Sequence, residues 1–404
     1  MASLAVTPAP ARATSAPLLS VRGLVVWLTI ASLFAGGLKA TVGFDLRLSY
    51  LFVAIGFASL LLLTPRLRIP IGPVAVLWSY LMLCAAFMFL HNSALLIPRT
   101  LPQIVGIGFF ATYFLLFIAN AGLSAEALFQ AYVKMAVWVA LLGFPILVLT
   151  GLTDGFWRLK SIFAEPAHYA TAMMPAVGYA VATARSHPWR CAVLLLAMVL
   201  TLSLTGYIGL GLVFALVAGR SWWVRILMAA FALALLVLAY SASPEIRKRI
   251  DDTARVAQTA DFTGANLSTY ALLSNYWVAY SSFQESPVFG GGLGSHPESH
   301  DRFIGQLEGL ELFDAYLEQN KEDANSLFVR TLSEQGIVGL FLLGLFILRY
   351  RKAVTPSQQA INNAILVYFA LKLIREGHYF TPEFFFMTTI YYCNGAAFRN
   401  RALP

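Results

Sequence analysis

The sequence predicts an all-α polytopic membrane protein of about twelve transmembrane helices with one large helical loop outside the bilayer. Three observations carry that prediction. Of 404 residues, 59% are apolar and only 12% are Asp, Glu, Lys or Arg, whereas a soluble domain carries roughly 25% charged residues. Apolar runs of about 20 residues, the length that crosses a hydrocarbon core, recur along the chain. The basic residues gather in alternate connecting segments, as cytoplasmic loops do. Mean hydropathy is +0.71. This balance excludes a soluble enzyme, a disordered chain and a nucleic-acid binder, since no basic run is interleaved with aromatics.

Residues 1–20, rich in Ala and Pro, read as a flexible cytoplasmic tail with no short apolar core ahead of a cleavage site. Residues 21–404 read as a single membrane domain. Crossings are expected near 22–38, 48–64, 71–90, 101–119, 131–150 and 167–184. The next apolar block, 191–219, is too long for one helix. Its middle, Thr201-Leu202-Ser203-Leu204-Thr205-Gly206-Tyr207, is a polar patch with a glycine, so two short helices are expected to turn there. Further crossings follow near 224–241, 328–348, 358–373 and 383–398. With this split, Arg66 and Arg68, Arg185 to Arg190, Arg220 to Arg225 and Arg349 to Lys352 all fall inside, and both termini are cytoplasmic. Without it, everything downstream inverts.

Thirteen of the 20 acidic residues lie in 242–325, the only large segment outside the membrane. Phe303, Leu307, Leu310, Phe313 and Leu317 recur at three- and four-residue steps, which predicts an amphipathic helix. Tyr270, Leu273, Tyr276, Trp277 and Tyr280 form a second stripe of that kind. Both are expected to be packing surfaces of a helical cap over the outer mouth of the bundle. Cys84, Cys191 and Cys393 show no ligand spacing and are expected to be small apolar residues, with no disulfide and no zinc.

Arginines beside hydrocarbon are costly and tend to line functional cavities. Arg99 lies between Pro98 and Pro102. Arg158 and Lys160 precede Glu165-Pro166-Ala167-His168-Tyr169, and Arg375 precedes Glu376-Gly377-His378-Tyr379. Each of the last two clusters repeats one order at an outer helix end: a cation, then Glu, His and Tyr. A local ion pair or exposed loop cation is the alternative for each taken singly. Together they suit attack on a diphosphate-linked lipid donor. Guanidinium binds phosphate oxygens bidentately and keeps its charge. Arg99, Arg158, Lys160 and Arg375 are the candidate diphosphate ligands. A carboxylate or imidazole then takes the proton of an attacking sugar hydroxyl. Glu165, His168 and His378 are the candidates, and Glu165 and His168 share a face if helical. No metal or cofactor is expected.

Four segments resemble those of bacterial O-antigen and exopolysaccharide polymerases and of O-antigen ligases, in the same order. Arg158 through Tyr169 resembles their segment ending in Glu-Pro-Ser. Leu202-Ser203-Leu204-Thr205-Gly206 resembles their Ser-Arg-Thr-Gly turn. Ser286-Pro287-Val288-Phe289-Gly290-Gly291-Gly292-Leu293-Gly294 resembles the Gly-rich stretch of their large outer loop. Ala324-Asn325-Ser326-Leu327, with Glu334-Gln335-Gly336-Ile337-Val338-Gly339-Leu340 beyond it, resembles their His-Asn-x-x-Leu and Glu-x-Gly-x-x-Gly-Leu helix. The resemblance implies a multi-span glycosyltransferase of the bacterial inner membrane. Its substrate would be an undecaprenyl-diphosphate-linked oligosaccharide, used at the periplasmic face; a chain-length regulator is a partner left open. A polymerase moves the growing glycan onto a lipid-linked repeat unit, and a ligase moves it onto lipid A core. Ala324 stands where ligases have histidine, and Leu204 where the turn has arginine. Both departures favour a polymerase. The missing base would come from His168, Glu165 or His378, or from His296 or His300 of the Gly-rich loop. That loop could cradle an anion or simply be flexible. Asn325, Arg330 and Glu334 are further candidates, although Arg330 and Glu334 at i, i+4 read first as a local ion pair. A lipid-linked sugar transporter is the reading from another class, but the internal repeat common in transporters is not found.

Overall fold

The computed structural model describes residues 21–41, 45–307, 309–310 and 316–402, except that between 218 and 243 it describes only scattered positions. The predicted 1–20 tail and most of the predicted 224–241 crossing lie outside the described residues, as does Phe313.

Among the described residues, helices form where apolar runs were read, the 224–241 run lying mostly outside them. They are α1 (Val21–Ser32), α2 (Leu48–Leu63), α3 (Ile71–His91), a short α4 (Ser93–Leu95), α5 (Leu101–Asn120), α6 (Ala125–Asp154) and α7 (Pro166–Ala182). Then come α8 (Pro188–Leu200) and α9 (Leu204–Leu216). The polar segment supplies α10 (Pro244–Thr259), α11 (Leu267–Glu285) and α12 (His296–Phe303). The chain closes with α13 (Leu327–Arg349), α14 (Pro356–Ile374) and α15 (Pro382–Ala402). Among the described residues four helical stretches are long and apolar enough to cross a membrane, at 71–91, 93–120, 125–154 and 327–349. Shorter apolar helices accompany them, including α2, α8 and α9. The all-α expectation needs one correction. Lys39–Thr41 and Asp45–Arg47 pair antiparallel as strands β1 and β2, Lys39 opposite Arg47.

The turn read into 191–219 is present. Helix α8 ends at Leu200 and α9 begins at Leu204. Thr201 Oγ1 bonds back to the Met198 carbonyl, and Leu202 takes a left-handed φ of 45°. A hydroxyl offering the backbone a local partner is a known helix breaker. Helix α9 then runs alongside α7. A Cβ at Gly206 would meet Ala170, at Gly209 Met174, and at Gly178 Val213 and Ala364. Helix α7 is the buried axis of the bundle, its small residues letting α9 and α14 approach closely, as in other membrane bundles.

The cap differs from its prediction in one half. The 267–285 stripe is helical, with Tyr270 buried beside Leu273 and Trp277, while Tyr276 and Tyr280 stack on the exposed side. The 303–317 stripe does not form one helix. Helix α12 stops at Phe303, a 3-10 turn follows at Ile304–Gln306, and Gly309 has φ +73°. Two glycines inside the run outweigh its apolar spacing.

The Gly-rich loop is a strap across a broken helix. Gly336 sits within α13 at φ 58°, ψ −151°. The groups freed by that break are met by the loop: Gly291 N donates to Ser333 O (2.9 Å), Gly292 N to Glu334 O (2.8 Å) and Ile337 N to Pro287 O (3.0 Å). These loop amides therefore bind carbonyls. At Gly290, φ is +64° and a Cβ would lie 2.5 Å from the Glu334 carbonyl carbon. Gly290→Ala is expected to destabilise the fold by at least about 3 kcal/mol, read as loss of a monodisperse detergent peak. Gly305→Ala, with nothing within 4 Å of its Cβ, is expected to leave that peak unchanged.

Candidate active site

One end of the bundle encloses a cavity of about 850 Å³. Its walls are the α1–α2 connection with the β1–β2 hairpin, the 156–168 segment, the α8–α9 turn, α10 and the start of α11, and two loops at 319–325 and 375–383. Every helix that reaches the cavity does so at the same end. Arg66, Arg68, Arg185, Arg190 and Arg349 to Lys352 lie at helix ends on the opposite side.

Arg158, Lys160, Glu165, His168, Asn325, Arg375 and His378 all line this space. Helix α7 begins there. Pro166 suits its first position, having no N–H to leave unmet, so Glu165 and His168 flank the helix entrance. Arg158 reaches back to the α8–α9 turn, donating from Nη2 to Leu202 O (3.0 Å) and from Nε to Thr201 O (3.4 Å). Lys160 Nζ stands 5.4 Å from the centre of the Phe156 ring. Arg375 Nη2 lies 3.6 Å from Glu165 Oε2, joining the two clusters that the sequence set apart. Its Nε is buried with no partner among the described residues.

His378 meets a carboxylate that sequence reasoning missed. Its Nε2 lies 3.0 Å from Asp323 Oδ2. Burial pushes the imidazole down to about 4, although Asp323 pulls the other way; the charges of Arg47, Lys372 and Arg330 add to the fall. A neutral ring held through one nitrogen by a carboxylate presents the other as a proton acceptor. Lys39, Arg47, Arg249, Glu376 and Glu383 also line the cavity without having been singled out. The Asp-Ala-Asn and Arg-Glu-Gly-His spellings carried the signal for Asp323 and Glu376. Nothing local marked Arg47 or Arg249.

Five candidates are placed elsewhere. Arg99 pairs with Glu322 at 3.0 Å on the cap and does not line the cavity. Arg330 and Glu334 form a buried ion pair at 3.0 Å. Arg330 also donates to Gly377 O (3.2 Å) and stacks 4.0 Å over the Tyr379 ring, while Tyr379 Oη donates to Glu334 Oε2 (3.2 Å). This network grips both neighbours of His378. His296 and His300 are buried in the cap, His296 bonded to Asn275 (3.1 Å). Burial holds both below the usual histidine range, His296 at about 3. That suits neutral packing groups.

Six cations, four carboxylates and two histidines thus share one hollow beneath a polar cap. A hollow so lined in a helical membrane protein has the charge to receive an anion. Residues 190–344 match the Wzy_C family, described as O-Antigen ligase: the chain carries the domain shared by O-antigen polymerases and ligases. Proteins of that family transfer lipid-linked glycans. The match runs from α8 through the cap into α13; the 156–168 and 375–383 walls lie outside it. No curated protein matches the chain.

Proposed function

We propose that this protein is a polysaccharide polymerase of the bacterial inner membrane, moving glycan from undecaprenyl diphosphate onto a lipid-linked repeat unit at the periplasmic face. The observation carrying this reading is the shared cavity of Arg158, Lys160 and Arg375 with the His378–Asp323 pair. The three cations hold the donor diphosphate. Each hydrogen bond to a charged group contributes about 1.5–3 kcal/mol net, and the same groups stabilise charge as it develops on the leaving diphosphate. His378 takes the proton of the acceptor hydroxyl while Asp323 steadies the imidazolium. The acceptor oxygen bonds to the anomeric carbon, the bond from that carbon to the diphosphate oxygen breaks, and undecaprenyl diphosphate departs. Glu165, held near Arg375, orients that guanidinium, and His168 is the alternative base.

The test is incubation of the purified protein with its lipid-linked oligosaccharide, without nucleotide sugar or metal, followed by sizing of the products. A ladder of longer lipid-linked glycans is expected, and unchanged starting material sinks the reading. Transfer to lipid A core is the second reading. It is favoured by the family description and by the pairing of His378 with Asp323, the neighbour of Ala324, which stands where ligases have their histidine. Added lipid A core then becomes the required acceptor.

Orientation has its own test. In a variant with the three native cysteines replaced, Gln284→Cys is expected to react with a membrane-impermeant maleimide in spheroplasts, and Ser186→Cys only after lysis. The reverse pattern would place the cavity in the cytoplasm.

A further inference from the structure

The 323–325 and 376–378 segments lie side by side, running in opposite directions. Glu376 N donates to Asn325 O at 2.8 Å, and Asp323 meets His378 at 3.0 Å. Residue 323 is thus paired with 378, and 325 with 376. Between the pairs, Gly377 packs so tightly that a Cβ would lie 1.6 Å from Asp323 O. All four paired residues line the same cavity.

The arrangement is held at a cost. Ala324, Asn325 and Glu376 have φ of 55°, 55° and 74°. Left-handed backbone at residues other than glycine is strained and persists where function requires it. Two buried side-chain atoms in this segment also have no hydrogen-bond partner among the described residues: Asn325 Nδ2 and Glu376 Oε1, on residues 6% and 8% exposed. The other oxygen of Glu376 is 3.3 Å from the buried Lys372 Nζ, which holds that end of the side chain in place. One hydrogen-bond donor and one acceptor therefore stand beside the His378–Asp323 pair. That is the complement of neighbouring hydroxyls on a sugar ring.

We propose that Asn325 and Glu376 form the acceptor subsite: Asn325 Nδ2 donates to one hydroxyl of the incoming saccharide and Glu376 Oε1 accepts from another, which sets the attacking hydroxyl at His378. The proposal rests on the glycan-transfer reading and goes further by naming the groups that read the acceptor. Its ligand is an uncharged saccharide, distinct from the diphosphate held by the arginines.

Binding to the purified full chain is measured with two probes, the host's repeat-unit oligosaccharide freed of lipid and phosphate, and sugar-free undecaprenyl diphosphate. Two near-isosteric variants each invert the hydrogen-bonding character of one atom, and they change the charge by one unit in opposite directions, so an effect common to both is not electrostatic. Asn325→Asp turns the donor into an acceptor. In Glu376→Gln the amide oxygen stays toward Lys372, leaving a donor where the acceptor stood. Each is expected to weaken oligosaccharide binding tenfold or more, whereas undecaprenyl diphosphate binding weakens in Asn325→Asp and strengthens in Glu376→Gln, as the added and the removed negative charge require; both variants are expected to stay folded at the assay temperature, Glu376→Gln with a lower unfolding temperature because Lys372 loses its counter-charge. Arg375→Ala is expected to weaken undecaprenyl diphosphate binding and to spare the oligosaccharide. Oligosaccharide binding unchanged in both near-isosteric variants overturns the subsite. So does wild-type protein that binds undecaprenyl diphosphate but not the oligosaccharide. Wild-type protein that binds neither probe overturns the glycan-transfer reading itself.

Discussion

Arg375→Ala is expected to lower kcat/KM for lipid-linked oligosaccharide by about a hundredfold while the protein stays folded and inserted. Losing hydrogen bonds to a charged group removes about 1.5–3 kcal/mol, and 1.36 kcal/mol is a factor of ten in rate. Arg375 separates binding from folding better than Arg158 does. The Arg158 guanidinium bonds to the carbonyls of the α8–α9 turn, so its removal loosens that turn as well. Among the described residues, the Arg375 side chain makes one long, partly exposed contact, to Glu165 at 3.6 Å, and such pairs contribute little to stability. Arg375→Lys keeps the charge but not the fork, so it is expected to recover part of the loss. Activity is read by product sizing and fold by thermal unfolding in detergent. Wild-type rates in Arg375→Ala would remove the guanidinium from the diphosphate site.

What was legible in the sequence follows from how each signal is written. Helices announce themselves through apolar runs, so the described helices of the bundle other than the short α4 were foreseen, including the break at Thr201–Ser203, where polar residues interrupt hydrocarbon. The β1–β2 hairpin was not, because two three-residue strands hold too few residues to show an alternating pattern. In the cap, spacing at 303–317 suggested a helix, yet Gly305 and Gly309 weighed more than periodicity. The clusters around Arg158 and Arg375 were visible because each is local in the chain. Their meeting across the Arg375–Glu165 contact is a tertiary fact. Arg99 looked equivalent to them until its partner Glu322, 223 positions away, came into view. Asp323 was hidden for the same reason: its partner lies 55 residues further on, and no local spacing encodes a loop-to-loop pairing.

His378→Ala is expected to reduce kcat by 10²–10⁴, the usual range for removing a positioned general base, with little change in affinity for undecaprenyl diphosphate. The pH profile provides the sharper test. A base works in its deprotonated form, and burial holds His378 down to about 4. Wild-type activity should therefore stay level from neutral pH to about 5 and fall as pH drops through about 4. Asp323 raises the affinity of this imidazole for a proton. Asp323→Asn is thus expected to move the acid limb to still lower pH while lowering kcat, since the imidazolium formed during transfer loses its counter-charge. A mere loss of structure would lower activity without that displacement. His168→Ala serves as the control, because His168 lines the same cavity but lies on the entrance of α7. If His168→Ala abolishes transfer and His378→Ala retains it, the proton goes to the α7 entrance, and the His378–Asp323 pair only joins two loops.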